Sequence, residues 1–447
     1  MTAARPNLLT LPGATRRRVL RLALAGAAMP FGVGWAAEPE QRPEGATGYA
    51  VAIGGALKYD HAAVWTRLVQ LSGGTGSRWV VIPAAAANPQ ATGWRLTDAL
   101  ERHGAQADLL PIAPRWSGTD VARAARDPLL IQRVRSARGV FFAGGAQEYI
   151  VDALQPGGQR TPLLEAIWDV FRSGGVVAGT SAGAAIMSTT MFRDAMDVRR
   201  VLINGHLAEG REIDRGLGFV GPELFVDQHF LKRGRIGRIL PVMVQAGYKL
   251  GLGIEEDTAA IVHGRTVEVI GAKGVLLVDL GEATHDDGLG AFNLRNARLS
   301  YLDRGDRHDF ASGVTTPSPQ KLAGMVIDPN APDFRPYNRR AAFHGDILGD
   351  SAIVNAMNHL IDNRESEAVG LALPPPGGAE GTTALGFEFR LKRDAESRGW
   401  YTGAFGGEDY TVLGIRLDVT PVRMAQPMYQ PLQPATAAAA APQSQAR

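Results

Sequence analysis

Glycines stand two residues to either side of a serine in Gly179-Thr180-Ser181-Ala182-Gly183. The serine closes an apolar run, Val176-Val177-Ala178, and opens a run of small and apolar residues, Ala184-Ala185-Ile186-Met187. Strand, serine turn and helix in that order are the sequence form of a nucleophile elbow, which lifts a hydroxyl clear of a sheet. A side chain at Gly179 or Gly183 would collide with its neighbours as such a turn closes. N–H groups at the start of the following helix would face an oxyanion formed over the serine. The chemistry is acyl transfer, and it needs a base and a group that orients the base.

His229 is the candidate base. Most of the nine histidines sit in polar, loop-like surroundings, whereas His229 ends the run Phe225-Val226-Asp227-Gln228 and precedes a helix-like stretch over 231–245. The competing reading is a satisfied core histidine. The orienting acid comes from Glu255-Glu256-Asp257, three successive carboxylates between apolar strands expected over 251–254 and 259–262. Such a run is usually a solvated turn, but the flanking strands can aim one acid inward. The order Ser–His–acid differs from Ser–acid–His in the α/β-hydrolases and from both familiar serine-protease orders, which argues against a lipase or esterase.

These residues need a frame. Short apolar strands are expected over 50–53, 79–83, 106–112, 139–142 and 176–178, alternating with helices over 61–71, 94–103, 120–134 and 163–172. That alternation predicts an α/β fold whose parallel sheet is covered by helices on both faces. Ligands on such sheets bind beyond the carboxyl ends of the strands. Gly54-Gly55, Gly144-Gly145 and the serine turn all fall at such ends.

The full set resembles the cyanophycinase branch of a serine peptidase family that also holds the aspartyl dipeptidases. The resemblance rests on Ile53-Gly54-Gly55-Ala56, Phe142-Ala143-Gly144-Gly145-Ala146-Gln147, the serine turn, Asp227-Gln228-His229-Phe230, Arg233-Gly234-Arg235-Ile236-Gly237-Arg238 and Gly253-Ile254-Glu255-Glu256-Asp257-Thr258-Ala259. It spans about residues 48–312. It implies a flavodoxin-like or class I amidotransferase-like sheet, Ser181 as nucleophile, His229 as base and Glu256 as orienting acid. Glu255 stands where the family usually has aspartate and is the second choice.

Backbone N–H groups of Ala182 and Gly145 are the expected oxyanion donors. Arg235 and Arg238, three apart on the stretch after His229, read on their own as a solvated basic edge. The resemblance implies instead that Gln147, Gln228, Arg233, Arg235 and Arg238 hold a β-aspartyl-arginine unit, for which fixed guanidinium forks are suited. A serine mechanism requires no metal and no organic cofactor. The substrate implied is cyanophycin or a β-aspartyl peptide, and a homodimer fits the family. Alternatives are an aspartyl or isoaspartyl dipeptidase of the same family and a non-catalytic polymer-binding relative. Ala143 and Ala146 replace hydroxyl and amide or acid residues common in the family, as do Ala84-Ala85-Ala86, while Leu57-Lys58 stand where acids are common. Reaction class is therefore more firmly specified than substrate.

Composition bounds the rest. Hydrophobic residues at 45% and charged residues at 21% describe an ordinary globular protein. The formal charge of +2 arises from Arg5, Arg16, Arg17, Arg18 and Arg21, which no acid accompanies before residue 37. The remainder is net acidic, so no basic surface for nucleic acid is implied. Thr15-Arg16-Arg17-Arg18-Val19-Leu20-Arg21 with the following short apolar run predicts a twin-arginine export signal over 1–36, hence a periplasmic or extracellular protein without a membrane span in its mature form. The absence of cysteine excludes disulfides and thiolate catalysis. A linker is expected over 37–47, the peptidase domain over 48–314, a small β-rich C-terminal region over 315–420, and a disordered Pro/Ala/Gln-rich tail over 421–447. One role open to the β-rich region is anchoring to polymer or to the cell surface.

Overall fold

The computed structural model describes residues 48–429 except 195, 196, 341, 375–378, 380 and 408. The expected export signal, the linker and the tail from residue 430 onward lie outside the described residues.

Five strands, β1 (Tyr49–Ile53), β2 (Arg78–Ile82), β3 (Gln106–Leu109), β4 (Gly139–Phe142) and β5 (Val176–Thr180), form a parallel sheet in the order 3-2-4-5-1. Taken from β2 onward this is the flavodoxin-like order, with β1 in the place of the fifth strand. Strands β1, β2, β4 and β5 are buried on both faces, which explains why they read as apolar runs rather than alternating ones, whereas the edge strand β3 has no buried residue. Val177 enters one apolar cluster with Val140, Ile167 and Phe171, while Val176 and Ala178 enter the other with Trp65, Phe141 and Leu100. The period of two in side-chain direction feeds two helix layers from one strand.

Helix boundaries follow local caps. The helix expected to start at Trp94 begins at Pro89, because Asn88 accepts from the Ala91 N–H and proline suits the first helical position. One helix expected over 120–134 is two, Val121–Ala124 and Pro128–Arg135, broken where Asp127 caps the second and precedes proline.

A second sheet carries the other half of the site. Strand Leu224–Asp227 lies parallel to Leu250–Ile254, which continues antiparallel into Val275–Asp279, Leu294–Leu302, Asp409–Ala425, Thr383–Lys392 and Glu367–Ala372. The C-terminal strands are thus hydrogen-bonded into the same sheet as the strands before His229 and Glu255. Helices Ile236–Ala246 and Ala352–Ile361 share one apolar cluster with these strands. The last strand runs through Ala425, past Pro421, where the Pro/Ala/Gln-rich tail was expected to begin. Beyond Val419 it pairs only with Thr383–Lys392, so a proline without an N–H is tolerated on its open side.

Strands Leu250–Ile254 and Thr258–His263, which flank the three acids, belong to different sheets. Thr258–His263 pairs antiparallel to β1, with Ala259 opposite Ile53. The turn 255–257 therefore crosses from one sheet to the other at the carboxyl end of β1. Thr180 lies opposite Ile53 and Gly179 opposite Phe142, so the serine turn opens on the same rim. Asp227 lies opposite Gly253, which delivers His229 and the acid turn from the same end of the second sheet.

Candidate active site

Ser181 sits where β5 gives way to the short helix Ala182–Ala185, at φ 54° and ψ −109°. This left-handed conformation is unusual for a residue with a Cβ, and it is held because the Ser181 N–H donates to Ile53 O at 2.9 Å. The two glycines do what the sequence required. A Cβ on Gly179 would lie 2.2 Å from Gly183 O, and one on Gly183 would lie 2.4 Å from Phe142 O. Ser181 Oγ is 2.8 Å from His229 Nε2. His229 Nδ1 is 2.6 Å from Glu256 Oε1. Three residues from β5, from the end of Leu224–Asp227 and from the inter-sheet turn form one continuous hydrogen-bonded chain.

The histidine is fixed from several sides. Its backbone N–H donates to Gly54 O at 2.6 Å and its own carbonyl accepts from Arg233 N–H at 3.2 Å. The stretch expected to be helical from 231 is instead a turn, and the helix begins at Ile236. That turn is tied down by Glu255, whose Oε2 accepts from the Leu231 N–H at 2.6 Å and the Lys232 N–H at 3.0 Å. Glu255 is fully buried and does not reach the imidazole; Glu256 does. Asp257, the third acid, accepts from the Lys58 N–H and lies 2.8 Å from His61 Nδ1, holding the loop after β1.

Burial pushes the His229 pKa below its ordinary 6.5, the Glu256 hydrogen bond opposes that, and Arg233 and Arg235 add to the lowering. The imidazole is therefore neutral, and able to accept a proton, at neutral pH. The acid limb of a kcat/KM–pH profile should then have its midpoint below 6.5, with activity rising as His229 loses its proton. Arg233→Ala removes one cause of the lowering and should move that midpoint upward; a midpoint that moves down would break this account.

Ser181 opens on a cavity of about 570 Å3 lined by Gly145, Gln147, Gln228, Arg233 and Arg235. Gln147 Nε2 donates to Phe192 O at 2.7 Å, which fixes that amide at the cavity wall. Gln228 is buried, and among the described residues its Oε1 has no hydrogen-bond partner. Arg235 is buried, donates to Gln228 O at 2.5 Å and approaches Asp227 Oδ1 at 3.3 Å. Burial pulls its pKa down to about 9, so it stays cationic at neutral pH. Arg233 is exposed at the mouth.

Arg238, expected beside these, does not line the cavity. It is 1% exposed, donates to both carboxylate oxygens of Asp227 at 2.8 and 2.6 Å, and stacks over Phe192. A planar fork and a carboxylate make this a bidentate pair. Neither arginine of that helix edge is solvated, because buried Asp227 draws both inward.

Residues 51–270 match the model of peptidase family S51. Cyanophycinase from Trichormus variabilis is 31% identical over 297 residues, covering 64% of this chain and 93% of its own length. Cyanophycinase from Geminocystis herdmanii is also 31% identical, over 289 residues, covering 61% of this chain and 96% of its own. The chain belongs to peptidase family S51. A solved peptidase from an acI-B1 Actinobacterium aligns with 21% identity and a TM-score of 0.43, over 60% of this chain and 98% of that one.

This S51 peptidase also lines its cavity with residues that carry no sequence signal. Arg193, Asp194 and Arg211 come from the segment around the short strands Thr190–Phe192 and Ile213–Arg215, and Glu148 follows Gln147. Arg193 is held by Asp152 at 2.8 Å and Asp214 at 2.7 Å. No motif or periodicity marks them, since only folding brings that segment over Ser181. Asp227 was legible as part of a motif, but its partners were not. Its signal is a carboxylate that closes a fully apolar strand with two arginines 8 and 11 residues on.

Proposed function

We propose that this peptidase hydrolyses cyanophycin, a polyaspartate carrying arginine on each β-carboxyl, to β-Asp-Arg dipeptides through an acyl-enzyme. The observation that carries the reading is the Ser181–His229–Glu256 chain opening on a cavity lined by both Arg233 and Arg235 and the acids Glu148 and Asp194. A β-aspartyl-arginine unit presents carboxylate to the first pair and guanidinium to the second. Its likeness to two cyanophycinases at 31% identity supports the same substrate class.

In this mechanism neutral His229 takes the Ser181 proton as Oγ attacks the peptide carbonyl. Glu256 accepts from Nδ1–H, fixes the tautomer and stabilises the imidazolium. The tetrahedral oxyanion is met by the Ala182 and Gly145 N–H groups, to which Ser181 and Gly144 respectively are adjacent. Donors of this kind are worth about 10²–10³ in kcat each. His229 then protonates the leaving amine, and water attacks the acyl-enzyme by the reverse sequence.

Purified protein incubated with insoluble cyanophycin should release β-Asp-Arg. Release only from aspartyl or isoaspartyl dipeptides would replace the polymer by a short-peptide substrate. Polymer binding without turnover, and no acylation of Ser181, would make the chain a binding protein. Arg233→Ala should raise KM about 10–100-fold, the size of a lost charge-assisted hydrogen bond, and change kcat little. A kcat loss with KM unchanged would remove Arg233 from substrate binding.

We also infer export by the twin-arginine route, supported by Arg16-Arg17-Arg18 and the short apolar run after them. N-terminal sequencing of protein from the periplasm or medium should find a mature end near residue 37. Among the described residues no helix is long and apolar enough to cross a membrane.

A further inference from the structure

The turn that begins at His229 is held by Glu255 on one side. On the other side it is held by residues 346–351, which lie well outside the 51–270 segment matched by the family. The Ser351 N–H donates to Leu231 O at 3.1 Å, and Lys232 Nζ lies 2.6 Å from Asp350 Oδ2. Gly234, at φ +58°, lies so close to Leu348 that a Cβ there would be 2.0 Å from Leu348 O. Leu348 is 7% exposed. Its side chain converges with Val198 and Leu202 on Gly237, where an added Cβ would lie 2.7 to 3.1 Å from all three. Val198 and Leu202 belong to the helix Val198–Asn204, in the chain segment between the cavity residues Asp194 and Arg211. Arg199 of that helix donates to the Asp346 carboxylate at 3.2 Å and to Leu373 O at 3.0 Å. The 346–351 segment is itself tied to strand Glu367–Ala372, through Ile347 N–H to Leu371 O at 2.9 Å.

We propose that Leu348 and the segment 346–351 act as a positioning clamp, which locks the 229–235 turn against Glu255 and the Val198–Asn204 helix. The clamp sets where His229 and Arg235 stand relative to Ser181. The C-terminal region thereby helps to position the catalytic pair. Its weight lies in Leu348 and the backbone contacts. The Lys232–Asp350 pair is about half exposed on both sides, and exposed pairs contribute little. The inference rests on the reading of Ser181 and His229 as the reacting pair, so its test includes one readout that needs neither substrate nor turnover.

The test compares Leu348→Ala with Leu417→Ala in the full chain, well below either unfolding temperature. Leu417 is buried in the same cluster, more completely than Leu348, but lies on the Asp409–Ala425 strand, away from the turn. Hydrogen exchange at the Arg233 and Arg235 amides should quicken at least tenfold in Leu348→Ala. Phosphonylation of Ser181 by a fluorophosphonate, in which Oγ displaces fluoride from phosphorus, should slow at least fivefold. Leu417→Ala should change neither, although it lowers the melting temperature. Unchanged exchange in Leu348→Ala, or an equal change in Leu417→Ala, overturns the clamp whether or not Ser181 is phosphonylated. A wild-type chain that resists phosphonylation overturns instead the assignment of Ser181 as nucleophile, while the exchange data still decide the clamp.

Discussion

Ser181→Ala should lower kcat on any peptide this enzyme turns over by roughly 10⁵-fold or more. Serine hydrolases that lose the nucleophile keep only the modest catalysis of their oxyanion donors and substrate binding. The change deletes one oxygen at a half-buried position, and the positive φ is strained for alanine as it is for serine. It also takes away the partner of Nε2 on the buried His229, so folding stability should fall by about 1–3 kcal/mol, far less than the kinetic effect. Steady-state turnover and thermal melting on the same preparation separate the two effects. Residual activity within tenfold of wild type would require another nucleophile.

Glu256→Gln should cost about 10³–10⁴ in kcat, and the reason is directional. Glu256 can only accept, so it places the His229 proton on Nδ1 and leaves Nε2 free to take the proton of Ser181 Oγ. A glutamine amide can donate to Nδ1, which moves the ring proton to Nε2 and removes the base from the serine. A triad acid changed to its amide loses about 10⁴ in kcat for this reason. Glu255 offers the contrast. Its partners are the Leu231 and Lys232 N–H groups, and a glutamine oxygen still accepts from them. Glu255→Gln should keep activity within about tenfold. Glu255→Ala should cost stability, at about 1–3 kcal/mol for each N–H left unpaired. Kinetics on the two Gln variants decide between the acids, and a larger loss from Glu255→Gln would reverse the assignment.

Those two acids show how far the chain could be read directly. Types, order and the family resemblance together selected Ser181, His229 and the acidic turn; Gly-x-Ser-x-Gly alone is a common pattern, although here both glycines are sterically required. The parallel sheet was legible too, since strands buried on both faces are written as apolar runs between amphipathic helices. Helix starts at Pro89 and Pro128 were less so, because a single cap residue outweighs the periodicity around it.

Pairing across sheets has no local code, and there the sequence stopped. That strands Leu250–Ile254 and Thr258–His263 part into different sheets decides that Glu256 meets the imidazole while Glu255 turns back to the turn after it. The arginines divide for a related reason. Spacing placed Arg235 and Arg238 on one helix edge, but Asp227, buried at the end of its strand, holds Arg238 through both carboxylate oxygens and Arg235 through one, so that only Arg235 lines the cavity. The contact of Leu348 with Gly234 joins residues more than a hundred positions apart, and no residue type near either announces it. Sequence by itself determined the reaction, because the local geometry of a reactive serine is set by its immediate neighbours. Tertiary structure decided which acid, which arginine and which part of the C-terminal region serve it, because those choices depend on burial and on groups brought together only by the two sheets.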